Sequence, residues 1–368
     1  MERAWIAGEP VPLDAAIAEA ARLVAASNQT LIAGLGADVA GVRAAISLAR
    51  RIGGVIDHMH AESLLRDLDV VRSSGVMLTT PTEADLHADT LLLVGPLPRN
   101  ELFQQFISGT ARRTTSGEAR RICWLCPGSD AVRAAAGGKS NISMAGRAPR
   151  DLPVLLAALR ARIADRPVAK SPVSPKLLEQ MSRELKASRF GVAMWSVAAV
   201  DALAIEMLCG LVNELNETTR FSTLPLLPGD NAPGALQVCG WTTGLPMRTG
   251  FGRGYPHHDS WLFDSRRLVS SGETDCIIWI SAYGAHAPPW RDGPPTVALT
   301  VDGTGFAALP RVLIAVGTPG VDHAAVHHVP ATGTLAAVDA SLPCELISVA
   351  GAISRIAAAL PDDGAPRC

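Results

Sequence analysis

Residues 30–57 read TLIAGLGADVAGVRAAISLARRIGGVID, and their pattern indicates the fold class. The short apolar run at 30–33 predicts a buried strand. The periodic apolar residues of 38–52 predict a helix that Asp38 caps at its N-terminus. Gly53 and Gly54 are expected to end that helix, because glycine readily adopts the left-handed conformation found after helices. A second strand at 55–57 completes a βαβ unit, which implies a parallel sheet with a right-handed crossover.

Further apolar runs bounded by turn residues predict more strands, at 76–78, 90–94, 122–125, 190–195, 276–280, 296–301 and 312–316. Continuous runs, rather than alternating ones, suit strands that helices cover on both faces. Helices are predicted at 13–26, 200–215 and 346–360, whereas 224–256 is rich in glycine and proline and poorly patterned. The sequence therefore predicts an α/β fold with two Rossmann-like lobes and mostly parallel sheets.

The composition excludes several functional classes. The chain has 368 residues, a formal net charge of -2 and 18% charged residues, below the roughly 25% usual in soluble domains. Nucleic-acid binding would need a basic surplus, so no nucleic-acid partner is expected. The longest apolar run contains Asp201 and Glu206 and does not predict a membrane span, and no secretory leader is expected. Low charge fits either permanent partners or an alanine-rich core.

The glycines at 34 and 36 stand where a dinucleotide-binding fingerprint belongs, between a strand and a helix. Asp57 ends the following strand, as the ribose-binding acid of such a fingerprint would. The third glycine position is Val39, whose side chain opposes close helix–strand packing, so a degenerate turn is the alternative. A second glycine-rich stretch, 137–140, lacks the earlier glycine of a phosphate loop and is discounted.

Cysteines and histidines predict no metal site. The seven cysteines of the chain are expected to be reduced. The candidate pairs are Cys123 with Cys126, His58 with His60 on one side of a strand, and His323 with His327 on one helix face. The cysteine pair has no second pair to complete a zinc site. Neither histidine pair comes with a carboxylate at an obvious ligand spacing.

Several segments resemble the B subunit of formylmethanofuran dehydrogenase, within the molybdopterin/tungstopterin formate dehydrogenase group. They are Asp14–Ala21, Leu31–Gly36, Ile52–Asp57, Gly229–Ala235, Trp241–Pro246 and Arg253–Pro256. The resemblance covers nearly the whole chain, and its last two segments are the most specific. It implies a fold like domains 2 and 3 of the formate dehydrogenase/DMSO reductase group. It also implies a discontinuous lobe, 1–60 with 232–368, interrupted by a second lobe, 61–231, whereas composition alone would divide the chain at 164–176.

The sequence departs from this group where the group holds its metal. No cysteine precedes Cys123, so the N-terminal iron–sulfur ligands have no counterpart. The metal-ligating cysteine or selenocysteine of the family corresponds to residues 60–65, with Ser63 nearest. The histidine and glycine that follow it in the family are missing here. The pterin-holding C-terminal domain is also expected to be absent, since the chain stops at Cys368.

With these losses the sequence resembles the B subunit of the formyltransferase/hydrolase complex of methylotrophic bacteria. The resemblance implies a cytoplasmic complex that takes a formyl group from formyl-tetrahydromethanopterin, through a methanofuran-type carrier, to formate. A formyltransferase subunit and a zinc amidohydrolase-like hydrolase subunit would be the partners, with zinc in the hydrolase. This chain would be a non-catalytic structural subunit without a cofactor or metal of its own.

The resemblance implies no catalytic residue, only a degenerate pterin pocket, with candidates Gly34, Gly36, Asp38, Ser63, Asn231, Trp241 and Arg253. Two alternatives remain. One is a catalytic formylmethanofuran dehydrogenase subunit with molybdenum or tungsten on Ser63, since a serine hydroxyl ligates molybdenum in related enzymes. The other is an NAD-dependent oxidoreductase that uses the two glycines and Asp57.

Overall fold

Two large sheets and one two-stranded sheet organise the chain in a computed structural model that describes residues 3–97, 106, 120–128 and 142–361. The strands are β1 Ala4–Ile6, β2 Glu9–Pro10, β3 Thr30–Gly36, β4 Val55–Ile56, β5 Thr90–Val94, β6 Arg121–Leu125, β7 Ile142–Ala145, β8 Gly191–Ser196, β9 Phe221–Leu226, β10 Thr249–Gly250, β11 His257–His258, β12 Cys276–Ser281, β13 Thr296–Thr300, β14 Val312–Ala315, β15 Ala325–Val329 and β16 Thr334–Val338. The helices are α1 Leu13–Ala26, α2 Val39–Ile52, α3 Ala61–Ser74, α4 Pro81–His87, α5 Leu152–Ile163, α6 Pro175–Lys186, α7 Ala202–Leu215, α8 Ala232–Thr243, α9 Ser265–Ser270 and α10 Val349–Ala358.

Two compact units divide these elements. The first comprises Met1–Leu65, Gly229–Val329 and Leu335–Cys368; the second comprises Arg66–Pro228 with Pro330–Thr334. The limits lie near the predicted ones, 60/61 and 231/232, and the standing of each unit as a domain stays a prediction.

The sheet of the first unit has the strand order β11-β10-β4-β3-β12-β13-β14-β1-β2. Its five central strands, β4 to β14 in that order, run parallel, and the strands at both edges pair antiparallel. Successive residues of β3 face opposite sides: Ile32 packs in a large core with α1, α2, α8 and α10, while Leu31 and Ala33 pack with Trp279. One face is thus covered by four helices, and the other has a smaller core.

The sheet of the second unit has the order β7-β6-β5-β8-β9, and every adjacent pair is parallel. One face packs against α5, α6 and α7, and the other forms a core that includes Phe106 and Trp124. The two large sheets confirm the predicted α/β class with parallel sheets. No helix in the described ranges is long and apolar enough to cross a membrane.

Two local predictions were wrong, and one helix was not predicted. Residues 76–78 form no strand; an isolated bridge joins Leu78 to Thr223. The poorly patterned stretch 224–256, for which no element was predicted, contains α8 and the β10 strand of the β10–β11 hairpin. His327 lies in β15 and His323 just before it, so they do not share a helix face. The glycine-rich stretch 137–140 lies outside the described residues.

Candidate functional site

The carboxyl ends of β3, β4 and β12 meet at one edge of the first unit's sheet, because these strands are parallel neighbours. Hydrogen bonds tie the loops that follow β4 and β12 to the end of β3: the Met59 N–H donates to the Gly34 carbonyl at 3.0 Å and the Ala282 N–H to the Gly36 carbonyl at 2.8 Å. Open parallel sheets bind their ligands at this edge. The candidate site is therefore expected there.

One carboxylate and three imidazoles form a polar group at this edge, which we call the carboxyl-edge cluster: His58, His60, Asp230 and His286. The Asp230 Oδ2 lies 3.0 Å from the His60 Nε2, and its Oδ1 lies 3.3 Å from the His286 Nε2. Burial acts to raise the pKa of Asp230, but the hydrogen bond from His60 and the nearby imidazoles hold it below its ordinary value. Asp230 is therefore an anion shared by two imidazoles.

His58 is buried in the cluster as a neutral ring. Its Nδ1 accepts the His60 backbone N–H at 3.0 Å, so its Nε2 carries the proton and donates to the Asp230 carbonyl at 3.2 Å. Burial, and then the charge of His60, lower the pKa of His58 from 6.5 to about 4. The pair predicted to lie on a strand in fact occupies the turn between β4 and α3.

His58 should make the protein sensitive to acid. Because its folded-state pKa is lowered, its contribution to stability is complete above about pH 6.5 and is lost as pH falls towards 4, by up to about 3 kcal/mol. We expect His58→Gln to lose less stability than the wild type over that pH range. Urea unfolding of both proteins at several pH values measures the difference. Parallel pH profiles would contradict the assignment.

A buried arginine forms a second polar group beside β4, which sequence reasoning missed. The Arg248 guanidinium lies 3.5 Å from the Asp57 carboxylate, 2.9 Å from that of Glu62 and 2.5 Å from that of Asp264. Asp57 also accepts the Ser265 N–H at 2.9 Å. Burial raises the pKa of Asp57 to about 6, although Arg248 opposes the shift. The Asp57 carboxylate is therefore held inside the fold by Arg248 and Ser265, and it is not placed to bind a ribose.

Three of the candidates from the sequence, Asp38, Ser63 and Asn231, have side chains whose polar atoms form hydrogen bonds within the fold. Asp38 caps α2 by accepting the Gly41 N–H at 2.9 Å. The Ser63 hydroxyl donates to the His60 carbonyl at 3.1 Å, within the first turn of α3. The Asn231 side chain donates to the Ala37 carbonyl at 2.7 Å and accepts the His328 N–H at 2.8 Å. Their polar atoms therefore hold the backbone of this edge in place.

Of the other candidates, Gly34 and Gly36 line the edge from β3, while Trp241 and Arg253 are exposed on α8 and in the β10–β11 loop. Within the described ranges, no hydrogen bond or ion pair joins either exposed residue to the cluster. Asp230 lies within the Gly229–Ala235 segment that carried the resemblance, so a signal for it existed. His286 had none, because its loop approaches only through the pairing of β12 with β3.

Comparison with known proteins decides the family. No protein-family model matches the sequence. The chain is 33% identical to the B subunit of the formyltransferase/hydrolase complex Fhc of Methylorubrum extorquens, over 98% of this chain and 99% of that protein. The chain belongs to the family of formyltransferase/hydrolase complex B subunits.

A solved structure of such a complex agrees with this assignment. The crystal structure of the formyltransferase/hydrolase complex (FhcABCD) from Methylorubrum extorquens with methylofuran contains a chain that matches with a TM-score of 0.83, at 33% identity. The match covers 96% of this chain and 97% of that one. The resemblance to the B-subunit family, inferred from segments such as Arg253–Pro256, is thereby confirmed.

More distant relatives are described as subunits of tungsten-containing enzymes. The B subunit of tungsten-containing formylmethanofuran dehydrogenase 2 from Methanocaldococcus jannaschii is 27% identical over 76% of this chain and 66% of that protein. The protein with the same description from Methanococcus maripaludis is 25% identical over the same shares. In the described part of this family member, no group of three or more histidines, cysteines or acids is arranged to hold a metal ion.

Proposed function

We propose that this chain is the non-catalytic structural subunit of a formyltransferase/hydrolase complex in one-carbon metabolism. The complex would transfer the formyl group of formyl-tetrahydromethanopterin to a methanofuran-type carrier and hydrolyse it to formate. The single observation that carries this proposal is the match to the Fhc B subunit along almost the full length of both chains. The partners would be a formyltransferase subunit and a zinc-containing amidohydrolase-like hydrolase subunit, all in the cytoplasm.

The residues at the carboxyl edge do not fit a tungsten–pterin group. A thiolate ligand would have to come from one of six described cysteines, of which five are buried elsewhere and Cys344 is exposed. Cys123 and Cys126, for example, lie at β6 of the second unit, where burial and then Glu184 raise the pKa of the Cys123 thiol. The hydroxyl of Ser63, the nearest counterpart of the family's ligand, already donates a hydrogen bond to the His60 backbone carbonyl. No step of the proposed function is therefore assigned to such a group.

The strand order supports a finer description of the fold. When the strands of the second unit, β5 to β9, are renumbered 1 to 5 along the chain, their order across the sheet is 3-2-1-4-5. This is the order of a doubly wound Rossmann-like sheet. We extend this description to the first unit, whose central strands are parallel, and propose that both units are domains like domains 2 and 3 of the formate dehydrogenase/DMSO reductase group.

The similarity to tungsten-containing dehydrogenases favours one alternative, an active dehydrogenase with Ser63 as the metal ligand. The nicotinamide alternative finds no such support, since the Asp57 carboxylate is buried against Arg248. Only the first alternative needs a test against the proposed function.

Metal analysis of the purified complex, combined with a Ser63→Ala variant, separates the two. If the chain is a structural subunit, the complex should contain far less than one equivalent of tungsten, molybdenum or pterin per chain. Its formation of formate should be unchanged by Ser63→Ala. An active dehydrogenase predicts stoichiometric metal and pterin, together with dye-linked oxidation of the formyl carrier that Ser63→Ala abolishes. Zinc should be present in the complex and should remain with the hydrolase subunit when the subunits are separated.

A further inference from the structure

Two consecutive residues at the carboxyl edge hold a backbone conformation that disfavours a side chain. Asp230 and Asn231, between β9 and α8, both have φ +54, in the left-handed region. A residue with a Cβ stays in this region only where the surrounding structure compensates the strain. The contacts that these two residues make must therefore outweigh the strain.

Asp230 joins two other connections of the first unit. Its backbone carbonyl accepts a hydrogen bond from the His58 Nε2 at 3.2 Å, and its Oδ2 lies 3.0 Å from the His60 Nε2, both in the turn after β4. Its Oδ1 lies 3.3 Å from the Nε2 of His286, in the loop after β12. Since only 11% of the Asp230 side chain is exposed, the imidazoles take the place of solvent around the carboxylate.

Asn231 joins two further segments. Its Nδ2 donates to the carbonyl of Ala37, in the loop after β3, at 2.7 Å, and its Oδ1 accepts the N–H of His328, in β15, at 2.8 Å. A Cβ at position 234 would collide with this Oδ1, so Gly234 leaves room for the amide. The five polar contacts of both residues, which we call the Asp230–Asn231 network, therefore connect four segments within one unit.

The network lies where the resemblance places the metal ligand of the tungsten-containing relatives. His60 belongs to residues 60–65, which correspond to that ligand, and the two strained residues belong to the segment Gly229–Ala235, which also carries the resemblance. The hydroxyl of Ser63, nearest the ligand position, donates to the His60 carbonyl. The polar atoms of both segments are therefore engaged within the protein.

We propose that the Asp230–Asn231 network takes the structural place of a metal–pterin group at the carboxyl edge, because it fastens the segments around the ligand position with the protein's own side chains. The first unit then needs no bound group to hold this edge together. The inference rests on the proposed function in one respect, since an active dehydrogenase would need the same edge for its metal. It gives a role to side chains that the proposed function leaves without one.

Glycine substitutions at two left-handed aspartates test the network in urea unfolding of the full chain. Asp165 has φ +53, but its side chain is 78% exposed and pairs with Lys186 at 3.2 Å. Glycine relieves the strain at both positions. Asp230→Gly should still raise the unfolding equilibrium constant about tenfold or more, because a buried carboxylate with two hydrogen bonds is lost. Asp165→Gly should leave the constant within about threefold. Similar changes in both variants, or a lower constant for Asp230→Gly, overturn the proposal.

A double-mutant cycle keeps the test decisive if glycine at position 230 prevents folding. Asp230→Asn preserves the shape of the side chain, and asparagine tolerates the left-handed region. Combined with His60→Gln, it should raise the unfolding constant about threefold less than the product of the two single effects, because both substitutions remove the same contact. Independent effects would show that the imidazole does not hold the carboxylate, and would overturn the proposal.

Zinc distinguishes a network of side chains from a metal site. Equimolar Zn²⁺ should shift the thermal midpoint of the wild-type chain by less than about 1 °C, because a ligand stabilises only a protein that binds it. A larger rise that Asp230→Asn abolishes would show that the cluster binds a metal, and would overturn the proposal while leaving the proposed function intact. One equivalent of tungsten or molybdenum per chain in the purified complex would instead overturn the proposed function, and this proposal with it.

Discussion

Replacing Arg248 with methionine should lower the free energy of unfolding by about 3–5 kcal/mol near pH 8. Arg248 is buried, and its guanidinium faces Asp57, Glu62 and Asp264. Without it, the buried Asp57 keeps only Ser265, through its N–H and its hydroxyl, as a compensating partner among the described residues. An uncompensated buried charge is among the most destabilising changes that one substitution makes.

The stability lost in the Arg248→Met variant should be smaller at acidic pH than near pH 8. The folded-state pKa of Asp57 is raised to about 6, first by burial and against the effect of Arg248. A carboxyl with a raised pKa favours the folded state at low pH, and this contribution is lost as pH rises through the folded-state pKa. Methionine removes the opposing cation, so the variant should hold a proton on Asp57 to higher pH. Near pH 5 the variant should therefore recover much of its stability.

Urea unfolding at pH 5 and pH 8 measures both effects. Arg311→Met serves as the control, because its ion pair with Glu19 is partly exposed and should contribute about 1 kcal/mol or less. The double variant Arg248→Met, Asp57→Asn should recover part of the loss, since it removes the buried charge as well. A small, pH-independent loss in Arg248→Met would mean that the guanidinium does not compensate Asp57.

Local rules account for the part of the fold that the sequence predicted well. The N-cap at Asp38 and the left-handed Gly53 depend on neighbours within four residues, and both occur as expected. Strands 90–94 and 312–316 were found within a residue of their bounds, because continuous apolar runs need only burial on both faces. Such features require no knowledge of distant chain segments.

Long-range pairing accounts for what could not be predicted. The carboxyl-edge cluster joins Asp230 to His60 and His286, residues from three separate connections that only the sheet brings together. The partners of Arg248 are likewise distant in sequence. Residues 76–78 have the apolar character of a strand, but just one bridge to β9 forms there. In each case tertiary contacts, rather than local pattern, set the outcome.

Gly34→Ala should destabilise the first unit by about 2–5 kcal/mol, whereas Gly36→Ala should cost less than about 1 kcal/mol. Gly34 has φ +76, and a Cβ there would lie 2.5 Å from the Ile280 carbonyl oxygen of β12. Neither the left-handed conformation nor that backbone contact can relax easily. At Gly36 the nearest atom to a Cβ is the flexible Met59 Cε, at 3.3 Å.

This pair of variants distinguishes two reasons for the Gly-x-Gly spacing. A phosphate cradle would need both glycines for close approach of a ligand, and both alanines would weaken binding while changing stability little. A packing requirement needs only Gly34, where β3 and β12 meet at a register irregularity between Trp279 and Ser281. Chemical unfolding of the two variants decides between these. Equal losses of stability in the two variants would contradict the packing explanation. A loss of stability confined to Gly34→Ala would mean that the packing of β3 against β12 is enough to require the first glycine of the Gly-x-Gly spacing.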